Sequence, residues 1–471
     1  MENKNEVTKH SYMRYKLIYT IIFLFGLLLL PYVLEAQTFD NGLQQIMTRA
    51  IQQSHAQQIN QLQLQQARIN QTIARQYYLP KITNSATYTR LNDDIVFPAE
   101  TQQLLTGTQR LLIKEAIGLP FNSSLPPSIV LKPVPSIQER NIFKITSNVQ
   151  MVLFSGFKAS LSKKITIQQQ QAFSSESSSG KVKIIKDVWE LYDKLTLVNS
   201  SYNVITAIDN YLQQQNNFIE KAISNGLATP IDREKINLAR HKLTLRKIEL
   251  NGDKKLVLEK LVVITAINAD SIASFKPEME VIFLPDMMIR KRPELDALDA
   301  GIKAFELKSK MELTEYIPKI VAFAQYDWRK QDLSLFDPRW YAGIRLQWSL
   351  FDGLVAKNES KKAIADKEIL IQKRKEIEEN IAILVSKTEI DKNTADEKMK
   401  VNREALLVAE RIKELTEKQY KNGLTTITEL LDAVAAEEKA RQELLQSIYD
   451  QRRATATNLE ATGNLLQFFN F

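Results

Sequence analysis

The sequence predicts a mostly α-helical protein with a small β part, built as two tandem repeats that each join a β-hairpin to a long α-helical hairpin. Three observations predict it. The run Val149-Gln-Met-Val-Leu-Phe-Ser-Gly156 returns as Leu346-Gln-Trp-Ser-Leu-Phe-Asp-Gly353, and Asn225-Gly-Leu-Ala-Thr229 returns as Asn422-Gly-Leu-Thr-Thr426, both 197 positions later. No proline interrupts the chain from Gly156 to Gly226 or from Gly353 to Gly423. Four short stretches alternate apolar and polar residues with the period of two that marks a strand. The repeat is far too long for a solenoid of short units; it is one supersecondary unit used twice.

Residues 1–36 read as an export signal. Lys9, Arg14 and Lys16 precede an apolar run from Ile18 to Leu30, and Leu34-Glu-Ala36 ends on a small residue. Such a run is short for a spanning helix. An uncleaved inner-membrane anchor is the alternative. No other segment reaches the roughly 20 apolar residues of a membrane helix, so any further crossing of a membrane must use β-strands.

The first repeat spans 37–270, with strands at about 79–91 and 141–154 and a helical hairpin over 157–270. A linker occupies 271–290. The second repeat spans 291–471, with strands at about 317–328 and 340–351 and a hairpin over 354–465. In the second strand Phe143, Ile145, Ser147, Val149, Met151 and Leu153 share one face. Their counterparts are Trp340, Ala342, Ile344, Leu346, Trp348 and Leu350. The intervening residues are largely polar. A strand with an apolar outside and a polar inside suits a membrane barrel; a sandwich strand with its apolar side inward fits the alternation equally well.

Tyr78-Leu-Pro-Lys-Ile82 matches Tyr316-Ile-Pro-Lys-Ile320 at an offset of 238, so the first repeat carries an insert between its strands. That insert, about 91–140, is rich in proline and reads as an exposed loop with a short helix near Gln103–Ala116. Each uninterrupted stretch of 70 residues makes roughly 100 Å of helix at 1.5 Å per residue. Asn-Gly supplies the positive-φ residues of the reversal. Thr229 and Thr426 can cap the returning helices, and Pro230 fits a helix start. The first returning helix carries two seven-residue rows, Ile231/Leu238/Leu245 and Ile236/Leu243/Leu250/Val257. They lie on nearly opposite sides, so the helix packs between two neighbours, in the wall of a cylinder or in an antiparallel bundle.

The composition argues against chemistry. Cysteine is absent, and the three histidines, His10, His55 and His241, are far apart in sequence. No nucleophile–base pair, phosphate loop or metal cluster is legible, so neither an enzyme nor a cofactor or metal site is expected. The net charge of +8 comes from Lys and Arg interleaved with Asp and Glu along helices, the pattern of a solvated helix surface rather than a nucleic-acid stripe.

The leader, the duplicated unit, Leu79-Pro80 and Ile317-Pro318 entering strands, Leu350-Phe-Asp-Gly353 leaving one, Arg292-Pro-Glu-Leu295 opening the second repeat and the two Asn-Gly-Leu turns together resemble the TolC-like outer-membrane efflux proteins. The resemblance implies a homotrimer. Three chains would pool four strands each into a twelve-stranded outer-membrane β-barrel, continued by a periplasmic α-barrel. That agrees with a limit set by the strands themselves, since four cannot close a barrel and open edges are not tolerated in lipid.

The resemblance also implies a passive exit duct of a tripartite efflux or type I secretion system. Its tip, at Gly226, Leu227, Thr229, Gly423, Leu424 and Thr426, would meet a periplasmic adaptor (membrane fusion) protein working with an inner-membrane RND or ABC pump. Glu429 and Asp432 match acids that line the pore constriction, although acids there also suit a helix N-terminus. Tyr88, Met151, Tyr326 and Trp348 are the expected lipid-facing strand residues. The competing reading is a periplasmic coiled-coil adaptor or scaffold, which normally has only one such hairpin flanked by lipoyl-like and barrel domains; the two copies and the four amphipathic strands argue against it.

Overall fold

The structure is a computed structural model describing residues 41–275, 278–282, 287–329 and 338–471. The expected leader, the start of the first repeat at 37–40, part of the linker and most of the second strand-to-strand connection lie outside these residues. The described chain is mostly helical with one small sheet. It divides into two compact units. One comprises the chain to Gln58 with Ser179–Lys291 and Ile381–Phe471; the other comprises Ile59–Ser178 and Arg292–Asn380.

The sheet belongs to the second unit. Strands β1 (Lys81–Arg90), β2 (Asn141–Phe154), β3 (Lys319–Arg329) and β4 (Trp340–Gln347) lie side by side in that order, each antiparallel to the next. Two hairpins from the two repeats thus form one meander. Among the described residues β1 and β4 each have a partner on one edge only. β4 stops at Gln347, short of the expected 351. The reason is local: Asp352 accepts the Ala356 N–H at 2.8 Å and the Tyr316 hydroxyl at 2.8 Å, so this segment starts the next helix instead of extending the strand.

The sheet is preceded by helices α1 (Asn41–Gln53) and α2 (His55–Gln76). The insert holds α3 (Ala99–Ala116), which begins directly after Pro98 and is longer than expected. Its stem continues the β1–β2 ladder, with the Leu91 N–H donating to Arg140 O and an isolated bridge between Ile95 and Gln138.

Each repeat leaves its sheet through the same backbone device. Gly156 and Phe157 have φ of +63° and +69°, and Gly353 and Leu354 have +71° and +68°. Two consecutive left-handed residues swing the strand into a helix. A Cβ on Gly156 would lie 3.1 Å from the Ile317 Cβ and 3.2 Å from Thr314 O, so close approach and positive φ together demand glycine there. The helices that follow, α4 (Lys158–Ser224) and α8 (Val355–Lys421), are both 67 residues long.

The returning helices are α5 (Pro230–Thr265) and α9 (Ile427–Ala461), flanked by the short α6 (Ala269–Ser274) and α10 (Leu465–Phe468). Helix α7 (Pro293–Glu312) opens the second repeat and explains the Arg-Pro-Glu-Leu motif. Arg292 is its N-cap and pairs with Glu294 at 2.8 Å, Pro293 occupies the first turn where no N–H is needed, and Leu295 is buried.

Two apolar cores fill the first unit. One gathers Ile46 and Met47 of α1, Ile185, Trp189 and Leu195 of α4, Leu261 of α5, Ile272 of α6 and Leu459 of α9. Trp189 stacks on Phe468 and meets Phe469 edge-on. The other core sets the α4 row Val198/Ile205/Leu212/Ile219 against the α5 row Ile236/Leu243/Leu250 and against Ile427, Leu430 and Val434 of α9. Seven-residue spacing on antiparallel helices is what keeps such seams in register. Each side chain so buried contributes roughly 1.5–3 kcal/mol.

The two rows on α5 have different fates. Ile236, Leu243, Leu250 and Val257 are 0–8% exposed, whereas Ile231, Leu238 and Leu245 are 58–65% exposed. Among the described residues the chain supplies a neighbour for one row and leaves the other exposed.

Candidate functional site

Two regions carry the expected functional residues: the faces of the sheet in one unit and the two turns in the other.

On the sheet, the strand registers align one apolar face across all four strands. Tyr88 pairs with Phe143, Ala86 with Ile145 and Ile82 with Val149. Val149 pairs with Ala324 and Met151 with Ala322. Ala322 pairs with Ile344, Ile320 with Leu346 and Tyr326 with Trp340. This face is not buried inside the chain: Ile82, Ile344 and Leu346 are 63–70% exposed. A sandwich strand would have turned it inward.

Aromatic residues gather at the end where β1 runs into the insert, with Tyr88, Trp328 and Trp340 exposed. The Tyr326 and Trp328 rings meet at 4.8 Å, and the Trp328 indole N–H donates to Ser147 Oγ at 2.7 Å. Of the four expected lipid-facing residues, Tyr88, Met151 and Tyr326 lie on the apolar rows. Trp348 lies one residue beyond β4, exposed, with its indole N–H donating to Tyr316 O at 3.0 Å. The opposite face is polar and hydrogen-bonded to itself. Asp327 accepts from Thr146 Oγ1 at 2.8 Å and from Gln325 Nε2 at 3.1 Å, and the Tyr341 hydroxyl donates to Gln325 Oε1 at 2.6 Å.

The two turns are built alike. Gly226 and Gly423 both have φ of +71°. The Leu227 N–H reaches Ala222 O at 2.8 Å, and the Leu424 N–H reaches Gln419 O at 2.9 Å. These are the left-handed helix terminations that glycine allows. Leu227 and Leu424 project from the turns, 82% and 76% exposed. Thr229 and Thr426 then cap α5 and α9, as expected. In each, the threonine N–H donates to a carboxylate three residues on: Asp232 at 3.0 Å and Glu429 at 3.2 Å.

The Glu429 carboxylate is therefore turned back onto its own helix start, and its N–H donates to Thr426 Oγ1 at 3.3 Å. Asp232, its counterpart in the first repeat, is held below the usual carboxylate range by the Thr229 N–H and hydroxyl and by nearby Lys235. Three residues further along, the repeats differ. Asp432 is exposed on α9, whereas its counterpart Lys235 donates to Thr428 Oγ1 at 2.9 Å and so ties the two turns together.

Behind the turns runs a polar network that the sequence did not reveal. Lys413 of α8 lies 4.3 Å over the Tyr211 ring of α4 and 3.7 Å from Glu437 of α9. Arg441 joins Glu437 at 2.7 Å and Glu410 at 2.5 Å. Asp209 of α4 holds Arg240 at 2.9 Å and Lys247 at 2.8 Å, both on α5. Burial pushes the Asp209 carboxyl up, but the two cations outweigh it and hold it below its ordinary value. Deeper in this unit, Arg452 of α9 forks onto Asp193 of α4 at 2.7 and 2.8 Å and donates to Glu280 O at 3.0 Å. Desolvation of Asp193 dominates over Arg452 and raises its pKa. Charges on long helices look alike in sequence; only the fold tells which of them meet.

Comparison with known proteins fits this geometry. Residues 284–464 match the family model described as outer membrane efflux protein. No curated protein sequence matches the chain. The fold is shared with solved structures at low identity. The CmeC outer membrane channel of Campylobacter jejuni is 14% identical, with 90% of this chain and 86% of that one covered and a TM-score of 0.66. The outer membrane protein VceC of Vibrio cholerae is 14% identical, with 89% and 96% covered and a TM-score of 0.64. The MtrE outer membrane channel of Neisseria gonorrhoeae is 13% identical, with 90% and 89% covered and a TM-score of 0.67. The chain therefore carries an outer membrane efflux protein domain over residues 284–464, within a fold shared with TolC-type outer-membrane channels.

Proposed function

We propose that three copies of this chain form a passive duct through the outer membrane, the exit of a tripartite efflux or type I secretion system. The observation that carries the reading is the sheet: one face is apolar, continuous across four strands and exposed, and among the described residues each outer strand has a free edge. Lipid is the solvent for such a face, and pairing β1 of one copy with β4 of the next removes every edge. Twelve strands close the barrel, with Tyr88, Met151 and Tyr326 toward lipid and the polar face toward the lumen.

The second α5 row supports the same assembly. Ile231, Leu238 and Leu245 keep helical packing spacing yet stay exposed among the described residues, and an adjacent copy supplies a neighbour. The two turns form the periplasmic tip. Leu227 and Leu424 offer apolar contacts to a periplasmic adaptor protein, and glycine at 226 and 423 sets the shape of the turns. Asp432 of three copies, with Glu429 behind it at the helix start, rings the constriction and favours cations there. The energy comes from an inner-membrane pump of the RND or ABC class. A periplasmic adaptor, the competing reading, has no use for four strands and a second long hairpin.

Cell fractionation tests this directly. The protein should stay in the carbonate-resistant outer-membrane fraction and migrate as a trimer without heating. A soluble periplasmic monomer would refute the duct.

A further inference from the structure

The polar face of the sheet is strongly biased in charge. It carries Lys81, Lys144, Lys319 and Arg345 against one acid, Asp327. Asp327 is 4% exposed and already engaged by Thr146 and Gln325, with Lys144 Nζ at 3.9 Å. Lys319 is matched by Glu315 at 2.7 Å. That leaves Lys81 and Arg345. Both are exposed, and among the described residues neither has a carboxylate within ion-pair distance. The Arg345 guanidinium lies 5.0 Å over the Phe323 ring. Stacking of this kind holds a guanidinium flat while leaving its edge N–H groups free to bind an anion.

The placement matters as much as the charge. Lys81 is the first residue of β1, and Arg345 is two residues from the end of β4. Both therefore sit at the sheet end joined to the helices, on the two strands that have free edges. Closing the barrel puts β1 of one copy beside β4 of the next, so three lysines and three arginines line three seams at one level of the lumen.

We infer that this belt draws molecules bearing carboxylate or phosphate groups to the barrel wall in preference to neutral or cationic ones of the same size, a local preference that adds to the cation preference of the Glu429 and Asp432 ring and does not replace it. The inference rests on the polar face lining the lumen and deepens that reading by naming the substrate class. A cationic ring at a pore wall concentrates anions and repels cations.

The test uses the full-length protein in planar lipid bilayers under a potassium chloride gradient. In K81Q/R345Q the ratio of chloride to potassium permeability, read from the reversal potential, should fall by about twofold or more. Inorganic pyrophosphate, which should reduce current through the parent channel, should no longer do so. Because the chain has no cysteine, R345C offers a second route that leaves the folded channel in place. An anionic thiosulfonate reagent added to the conducting channel should lower the ratio further, and a cationic one should restore it. An unchanged reversal potential in both experiments overturns the anion belt and leaves the duct standing. Failure of the folded trimer to conduct at all would overturn both.

Discussion

The Tyr316 hydroxyl donates to the Asp352 carboxylate at 2.8 Å, and Tyr78 stands 2.8 Å from Ser155 Oγ at the matching place in the first repeat. The duplication is thus preserved as a hydrogen bond as well as a sequence pattern. The tyrosine that enters one strand locks the residue that leaves its neighbour. Asp352 accepts the Ala356 N–H and Ser155 accepts the Ala159 N–H, so each lock also starts a 67-residue helix. Replacing Ser155 by Ala should cost about 1 kcal/mol, the worth of one buried hydrogen bond and a helix start. Denaturant unfolding of the extracted protein measures it. A loss no larger than that of a surface Ser→Ala control would show the lock to be ornamental.

The Asp193–Arg452 pair predicts a larger effect. Asp193→Ala leaves Arg452 without its carboxylate in a buried place, and removing one partner of such a pair typically costs about 3–5 kcal/mol. Replacing both residues with leucine and methionine should recover most of the loss. If the double variant were as unstable as the single one, the pair would matter through shape and not through charge.

Acid should loosen the α4–α5 hairpin through Asp209. Its folded pKa lies below the unfolded value, so the Arg240 and Lys247 pairings stabilise fully above about pH 5 and are lost as pH falls through the folded pKa. Urea midpoints followed from pH 7 to pH 3 should drop less steeply in Asp209→Asn than in the parent. Parallel curves would assign the acid sensitivity to other carboxylates.

The two α5 rows separate folding from assembly. Leu243→Ala, in the buried row, should destabilise the chain by about 2–5 kcal/mol. Leu238→Ser, in the exposed row, should leave the secondary structure intact and weaken the trimer on unheated gels. Equal loss of chain stability in both variants would mean that the exposed row is packed within the chain after all.

If the turns are the adaptor contact proposed above, Leu424→Asp should reduce pump-dependent resistance severalfold without lowering the amount of trimer. Gly423→Val should do the same with an added local cost of about 1–2 kcal/mol, since φ is +71° there. Resistance at the parent level in Leu424→Asp would move the adaptor contact elsewhere.

Much of the fold was legible because it follows from periodicity. The proline-free stretches gave both long helices, alternation gave four strands in their places, and Asn-Gly-Leu gave both turns with Thr229 and Thr426 as caps. The end of β4 is not legible in the sequence because Trp348 and Leu350 continue the alternation, whereas Asp352 starts the helix and draws the chain away. The network around Lys413, Glu437 and Arg441 was illegible because every helix face carries such charges and only packing selects among them. Of the two roles open to Glu429 in the sequence, the helix-start acid is the one the fold displays, in a cap on α9 that matches the Asp232 cap on α5. The bias of the polar face needed the strand registers: Lys81 and Arg345 lie far apart in sequence, and only the meander sets them on one surface.

The sheet edges have a consequence for how the protein is made. If three copies assemble as proposed, a lone copy presents backbone donors and acceptors that are unpaired among the described residues along the outer edges of β1 and β4, beside a broad apolar surface. Such a molecule is a hazard to itself, ready to stack into aggregates wherever its concentration outruns delivery to the bilayer. Overproduction should therefore yield insoluble material first and ducts second, and a holdase that shields the edge strands should reverse that order.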